Sequence, residues 1–296
     1  MKIRFFEKHD VPFINSMLRE EYGNSYPYPV TETLPDNDIL LVVEENDEVA
    51  AYARATKVSC GFFEFGSLIV HPKYRKQGYA KALLRRRLEI VILENLHVTI
   101  FTQPVCYRTD LASQKSCQKY GGFRQLGIQV AKHPGIHQDL MGSQPESLAF
   151  AVWEHGKPLF CGHTISSPKD WQNIISSLCR ETPSKPFMET EIPAPIYHHA
   201  YQVNGLIGSE FVDIPANWDR SKELISMYRN EGYCLSALLP SFGKRGDEVF
   251  DLIRLYRYSY GKIDWSLIHV TKDLAPLKEF MKSSEWVREH TLGAVR

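Results

Sequence analysis

The stretch from Phe62 to Leu84, FFEFGSLIVHPKYRKQGYAKALL, constrains the fold of this chain more than any other. Apolar residues dominate Phe62 to Val70, His71-Pro72 breaks the run, and from Tyr79 the spacing becomes helical, so the segment reads as strand, loop and helix. The loop, Arg75-Lys76-Gln77-Gly78-Tyr79-Ala80, ends at a helix N-terminus. Gly78 lets the backbone approach a ligand closely, and the unpaired N–H groups of the first helical turn point at it, an arrangement that favours phosphate. Lys73, Arg75 and Lys76 add positive charge, so a diphosphate or a phosphorylated ribose is the expected guest.

The chain has 296 residues, more than one hydrophobic core usually spans, so two domains are expected. Its 35 basic and 35 acidic residues cancel, which argues against a broad nucleic-acid footprint and leaves Lys73 to Lys76 as a local feature. The opening MKIRFFEKHD is charged and lacks the apolar core of a signal peptide, and no apolar run reaches the about 18 residues of a membrane span. A cytoplasmic location with no membrane partner is the expectation. Cys60, Cys106, Cys117, Cys161, Cys179 and Cys234 are scattered without a C-x-x-C pair or a histidine at ligand spacing, so they read as reduced thiols and no metal site is expected.

Taken in order, Met1 to Glu7 reads as a strand, and Asp10 can cap a helix from Val11 to Glu21 with Val11, Ile14, Met17 and Leu18 on one face. Ile39 to Val43 and Glu48 to Val58 form a hairpin on Asn46-Asp47, followed by the strand Phe62 to Val70. The helix after the loop turns Ala82, Leu83, Leu84, Leu88, Ile90 and Val91 inward. Arg85-Arg86-Arg87 then reads as a solvated face, with a contact to a ribose phosphate as the alternative. Leu96 to Thr102, Phe123 to Ala131 and Leu148 to Trp153 read as strands, with His133 to Glu146 as a loop.

Arg75-x-x-Gly78-x-Ala80, preceded by Val70-His71-Pro72, resembles the pyrophosphate loop of the GNAT superfamily of acyl-CoA-dependent N-acyltransferases. The element order is also similar, over about residues 1 to 155. The resemblance implies an α/β (α+β) fold with a mixed, largely antiparallel sheet flanked by helices, acetyl-CoA as co-substrate, and an amine acceptor on a small molecule or a protein. It further implies that the strands at Phe62 to Val70 and Leu96 to Thr102 splay to admit the pantetheine arm. Carried over residue by residue, it assigns the cofactor to Arg75, Lys76, Gln77, Gly78, Tyr79, Ala80 and Lys81, and to Ser113 and Lys115 of a Ser113-Gln114-Lys115 helix that closes on Gly122-Phe123. An oxyanion-binding backbone N–H is expected around Leu68, Ile69 and Val70. In the family the segment Asn24 to Asp38 borders the acceptor pocket, which makes Tyr26 and Tyr28 candidate contacts beside the reading of a proline-stiffened loop.

Acyl transfer to an amine needs a base for the amine proton, stabilisation of the oxyanion, and in some cases an acid for the departing thiolate. Glu64 lies 11 residues before Arg75 among Phe62, Phe63 and Phe65, and apolar surroundings would make it a better base. Histone-acetylating relatives carry their general-base glutamate at that offset. An exposed glutamate on a half-buried strand is the competing reading. For the acid, the family's tyrosine position falls on Gln118, or on Cys117 if Gly121 is aligned, with Tyr120 close by; Tyr120 and Cys117 are the candidates.

The second half, 156–296, lacks an R-x-x-G-x-A loop. It reads as a helix from Ser166 to Arg180, a proline-rich linker to Pro195, strands over Ile196 to Val212 broken at Asn204-Gly205, a helix from Asp219 to Arg229 and strands at Cys234 to Leu239 and Val249 to Tyr258. Gly243-Lys244-Arg245-Gly246 reads as a hairpin tip. Ile225 to Tyr233 resembles the family's closing helix, with Tyr228 where its tyrosine would sit, so this half resembles a smaller, degenerate GNAT unit. Its expected roles are to pack on the first sheet, to shape the acceptor pocket, or to form a homodimer. Three functions stand: an N-acetyltransferase, another tandem-GNAT acyl or aminoacyl transferase, and a non-catalytic acyl-CoA sensor.

Overall fold

The computed structural model describes residues 1–22, 29–59, 61–94, 98–133, 146–155, 159–180, 183–186, 188, 196–203, 206–258 and 263–293. Tyr26 and Tyr28, Cys60, the Asn204-Gly205 break and nearly all of the loop between His133 and Glu146 lie outside them.

The first half runs β1 (Lys2–Phe5), α1 (Val11–Tyr22), β2 (Asp38–Glu45), β3 (Glu48–Ser59), β4 (Phe62–Val70), α2 (Tyr79–Glu94), β5 (Val98–Thr102), α3 (Ala112–Ser116), β6 (Arg124–His133) and β7 (Glu146–His155). The β2–β3 hairpin turns on Asn46 (φ 51°) and Asp47 (φ 61°), two residues that tolerate the left-handed region, as a two-residue turn with matching twist requires. The second half adds α4 (Gln172–Cys179), β8 (Tyr197–Val203), β9 (Leu206–Pro215), α5 (Ser221–Asn230), β10 (Cys234–Arg245), β11 (Glu248–Tyr258) and α6 (Ala275–Gly293).

Among the described residues all eleven strands join one sheet in the order β1-β2-β3-β4-β5-β7-β6-β10-β11-β9-β8, and every pair is antiparallel except β4–β5. The sheet is thus mixed and mostly antiparallel, with helices on its faces. Ile14, Met17 and Leu18 of α1 bury against Leu40, Val42, Tyr52 and Ile69. On the opposite face, Tyr79 and Leu83 of α2 cover Leu41, Val43 and Ala51, and Leu84 and Val91 cover Phe63, Phe65 and Ile100. Burying these side chains supplies the main driving force for both layers.

The halves meet edge to edge. Gly127 of β6 opposes Ala237 of β10, and Ser236 Oγ donates to the Ile128 carbonyl at 2.7 Å. On the two sides of this seam the chain repeats one pattern: β5, α3, β6, β7 pack as β5-β7-β6, and β9, α5, β10, β11 pack as β9-β11-β10.

Three details differ from the sequence reading. The helix expected from Ser166 begins only with a 3-10 turn at Lys169, after Pro168. β10 continues to Arg245, so the hairpin turn reduces to Gly246-Asp247, and Phe250 packs where a Cβ on Gly243 would stand. Helix α6 is an additional element. Its early turns bury Leu277 and Met281 in the core of the second half.

Candidate functional site

The site begins where β4 and β5 part. They pair only from Phe62–Thr99 to Glu64–Phe101, and Thr102 Oγ donates to the Phe65 carbonyl at 2.7 Å just beyond the last pair. Past that point β4 and β5 no longer pair with each other, each staying paired on its other side with β3 and β7. β4 bulges at the same level, with Ser67 and Leu68 together opposing Ala53 and Ser67 at φ 40°. The extra residue reverses the side-chain alternation, so Ile69 joins the α1 layer while Leu68 and Val70 join the α2 layer.

Arg87 of α2 lies beneath this bulge. Its Nη1 donates to the carbonyls of Arg54 (2.7 Å) and Gly66 (3.1 Å), and its guanidinium stands 4.5 Å from the Phe65 ring centroid. Burial depresses its pKa to about 10. The solvated face expected for the arginine run therefore holds for exposed Arg85 and Arg86, whereas Arg87 points into the sheet. Helical spacing accounts for the split, since residues 84, 87 and 91 share the inward stripe.

β4 ends at the basic loop. Gly78 has φ 87°, with no atom within 4 Å of where a Cβ would be, and Lys76 has φ 66°. The loop thus places a left-handed glycine, with open space at its Cβ position, immediately before the N-terminus of the sixteen-residue α2. Arg75 Nη2 reaches Glu21 Oε2 at 2.7 Å, and Arg108, beyond β5, reaches Glu21 Oε1 at 3.2 Å, so both arms of the splay direct a guanidinium at one carboxylate. Lys73 pairs with Glu48 at 2.9 Å, and the buried Tyr79 hydroxyl bonds Glu45 and Gln77. Lys81 and Ala82 line a shallow 350 Å³ groove with Gly78, Arg85, Arg86 and Glu89.

The expected residues past β5 fall in different places. Lys115 Nζ turns back to the Asp110 carbonyl at 2.9 Å, and the Ser113 hydroxyl is buried without a hydrogen-bond partner among the described residues. Cys117 opens a π-helical turn and sits between Arg87 and Thr102 at the splay; burial lifts its thiol to about 11. Tyr120 is exposed instead, with Lys81 Nζ 5.3 Å from its ring centroid.

Glu64 points to the α1 face of the sheet. Phe63 and Phe65 turn the other way, as strand alternation requires, so of its three aromatic sequence neighbours only Phe62 shares its face. Gln103 Nε2 donates to Glu64 Oε1 at 2.7 Å, and Lys132 Nζ donates to Gln103 Oε1. Burial, and next the charge of Arg254, lower the Lys132 pKa to about 7, while Glu64 and Asp213 act in the opposite sense. Arg254 itself pairs with Asp213 at 2.7 Å, and His199 approaches Asp213 at 3.3 Å. Gln103, Lys132 and Arg254 carry no sequence signal, because they meet only through strand order.

The region thus brings together a glycine loop at a helix N-terminus, a bulged strand where β4 parts from β5, and a hydrogen-bonded carboxylate on β4. The model of the Acetyltransferase (GNAT) family matches residues 6–121. No curated protein sequence matches the chain. Among solved structures, the ribosomal-protein-S18-alanine N-acetyltransferase of Escherichia coli is similar at 16% identity and a TM-score of 0.42, covering 53% of this chain and 95% of that one. The yncA protein of Salmonella typhimurium, solved with its cofactor acetyl-CoA, is similar at 19% identity and a TM-score of 0.41, with 53% and 97% covered. A SpeG spermidine N-acetyltransferase mutant of Vibrio cholerae is similar at 16% identity and a TM-score of 0.40, with 52% and 92% covered.

Proposed function

We propose that this chain, whose residues 6–121 form a domain of the GNAT acetyltransferase family, transfers an acetyl group from acetyl-CoA to a primary amine. The observation that carries the reading is the parting of β4 from β5 immediately after Glu64, followed along β4 by the bulge at Ser67 and Leu68 and then by the Gly78 loop. Acetyl-CoA would supply the activated thioester.

In this reading the main chain from Arg75 to Lys81 holds the diphosphate, with Arg75 released from Glu21. A backbone N–H at the bulge, around Leu68 to Val70, faces the developing oxyanion, and Arg87 holds the bulge in shape from below. Glu64 takes the proton of the amine. Cys117, which burial keeps protonated at neutral pH, and Tyr120 are the two candidates for returning a proton to a thiolate. The second half, 156–296, is proposed as a degenerate GNAT-like unit that walls the acceptor side, a role supported by the repeated strand–helix–hairpin order. Among the described residues no helix is long and apolar enough to cross a membrane.

The test is release of free thiol from acetyl-CoA across a panel of primary amines. Amine-dependent release supports the reading; release with no amine on the panel, with acetyl-CoA still bound, contradicts it.

A further inference from the structure

Beside Glu64 the second half contributes an aromatic side chain. β10 bulges between Leu239 and Gly243, with Ser241 at φ 58°, and this bend carries Phe242 over the first half. Its ring lies 5.0 Å from that of Phe62, and 5.6 Å from those of both Phe101 and Phe150. Phe62 shares the face of Glu64 two residues away, and Phe101 is the register partner of Glu64. Phe62, Phe101 and Phe242 are only half-buried. They form an apolar surface next to the carboxylate.

The bend is held from behind. Asp251 Oδ1 accepts from the Ser241 N–H at 2.9 Å and from the Cys161 N–H at 3.1 Å, and Asn217 Nδ2 donates to Asp251 Oδ2 at 3.1 Å. Asp251 and Asn217 are buried, so Phe242 is mounted on a satisfied polar hub.

On its polar side Glu64 is followed by the Gln103 amide, then by Lys132 and Arg254. Asp213, the next carboxylate, is paired with Arg254 and His199. An acceptor bearing one ammonium meets a carboxylate there. A second cationic group extended past Gln103 would meet Lys132 and Arg254 and, among the described residues, no unpaired carboxylate, since Asp213 is already engaged.

We propose that the acceptor is a monoamine carried on an aromatic or apolar body, its amine at Glu64 and its ring on Phe62, Phe101 and Phe242, with Phe242 of the second half setting the specificity. The inference rests on the acetyl-transfer reading above and adds the substrate class.

Thiol release from acetyl-CoA is compared for phenethylamine, n-hexylamine and spermidine with wild type, Phe242→Ala and Phe242→Leu. Phenethylamine should exceed spermidine in kcat/KM by about tenfold or more, the scale on which apolar pockets discriminate. Phe242→Ala should raise the phenethylamine KM about tenfold with kcat changed less than about threefold, and Phe242→Leu should fall between, since lost ground-state contact raises KM alone. Saturation-transfer NMR on the protein without acetyl-CoA gives a second readout: the phenethylamine ring signal should weaken in both variants under conditions where circular dichroism shows them folded. If Phe242→Ala unfolds, Phe242→Leu carries the test. Preference for spermidine, or a phenethylamine KM and ring signal insensitive to Phe242, overturns the inference and leaves acetyl transfer standing. No release with any amine overturns both.

Discussion

Gly127 on β6 and Ala237 on β10 face each other so closely that a Cβ at 127 would stand 2.1 Å from the Ala237 Cβ and 2.6 Å from its Cα. The contact is backbone against backbone, with no flexible side chain to yield. Gly127→Val should therefore push the two halves of the sheet apart, costing about 1–3 kcal/mol or more by overpacking. Thermal unfolding checks this, and a variant that melts with the wild type would show that the seam is looser than described.

Gly78 poses the opposite problem. Space at its Cβ is open, so Gly78→Val meets no clash, but φ 87° is a conformation that valine avoids. The loop should shift and its N–H groups lose their common aim. Wild type with coenzyme A at about 100 times its dissociation constant should gain about 2.7 kcal/mol of stability, and Gly78→Val should gain almost none. Equal thermal shifts in the two proteins would detach the anion site from this loop.

Glu146 at the start of β7 is buried, Oε1 has no hydrogen-bond partner among the described residues, and burial raises its pKa to about 8. A raised folded-state pKa means that the native state binds the proton more tightly than the unfolded chain. The associated stability is complete below about pH 4.5 and is lost as pH rises through about 8. Glu146→Gln removes that titration, so the variant should gain on wild type between pH 5 and 8 in urea unfolding. A constant difference across that range would mean that Glu146 is not titrating there.

Much of this was legible from local pattern. The run Phe62 to Val70 with the glycine loop and the periodic helix behind it could form little else, and Asn46-Asp47 marked its own hairpin. What escaped reading depends on contacts between distant segments. Phe242 reaches Phe62 across 180 positions only because β6 pairs with β10. Gln103 and Lys132 meet because β7 lies between β5 and β6. Glu64 misled in the other direction: its sequence neighbours Phe63 and Phe65 are apolar, but a strand sends them to the opposite face. Arg87 was hidden in a charge run whose other members are exposed.

The most direct test of the account is the pH dependence of Glu64→Gln. The amide keeps the shape and a hydrogen bond with Gln103 but cannot accept the amine proton, so kcat with acetyl-CoA and phenethylamine should fall about 10²- to 10⁴-fold near pH 7 at an unchanged acetyl-CoA dissociation constant. The deficit should shrink toward pH 10, where more of the amine arrives already deprotonated and a base contributes less. A variant with wild-type turnover at pH 7, or a deficit that is the same at pH 7 and pH 10, would contradict the assignment of the proton to Glu64.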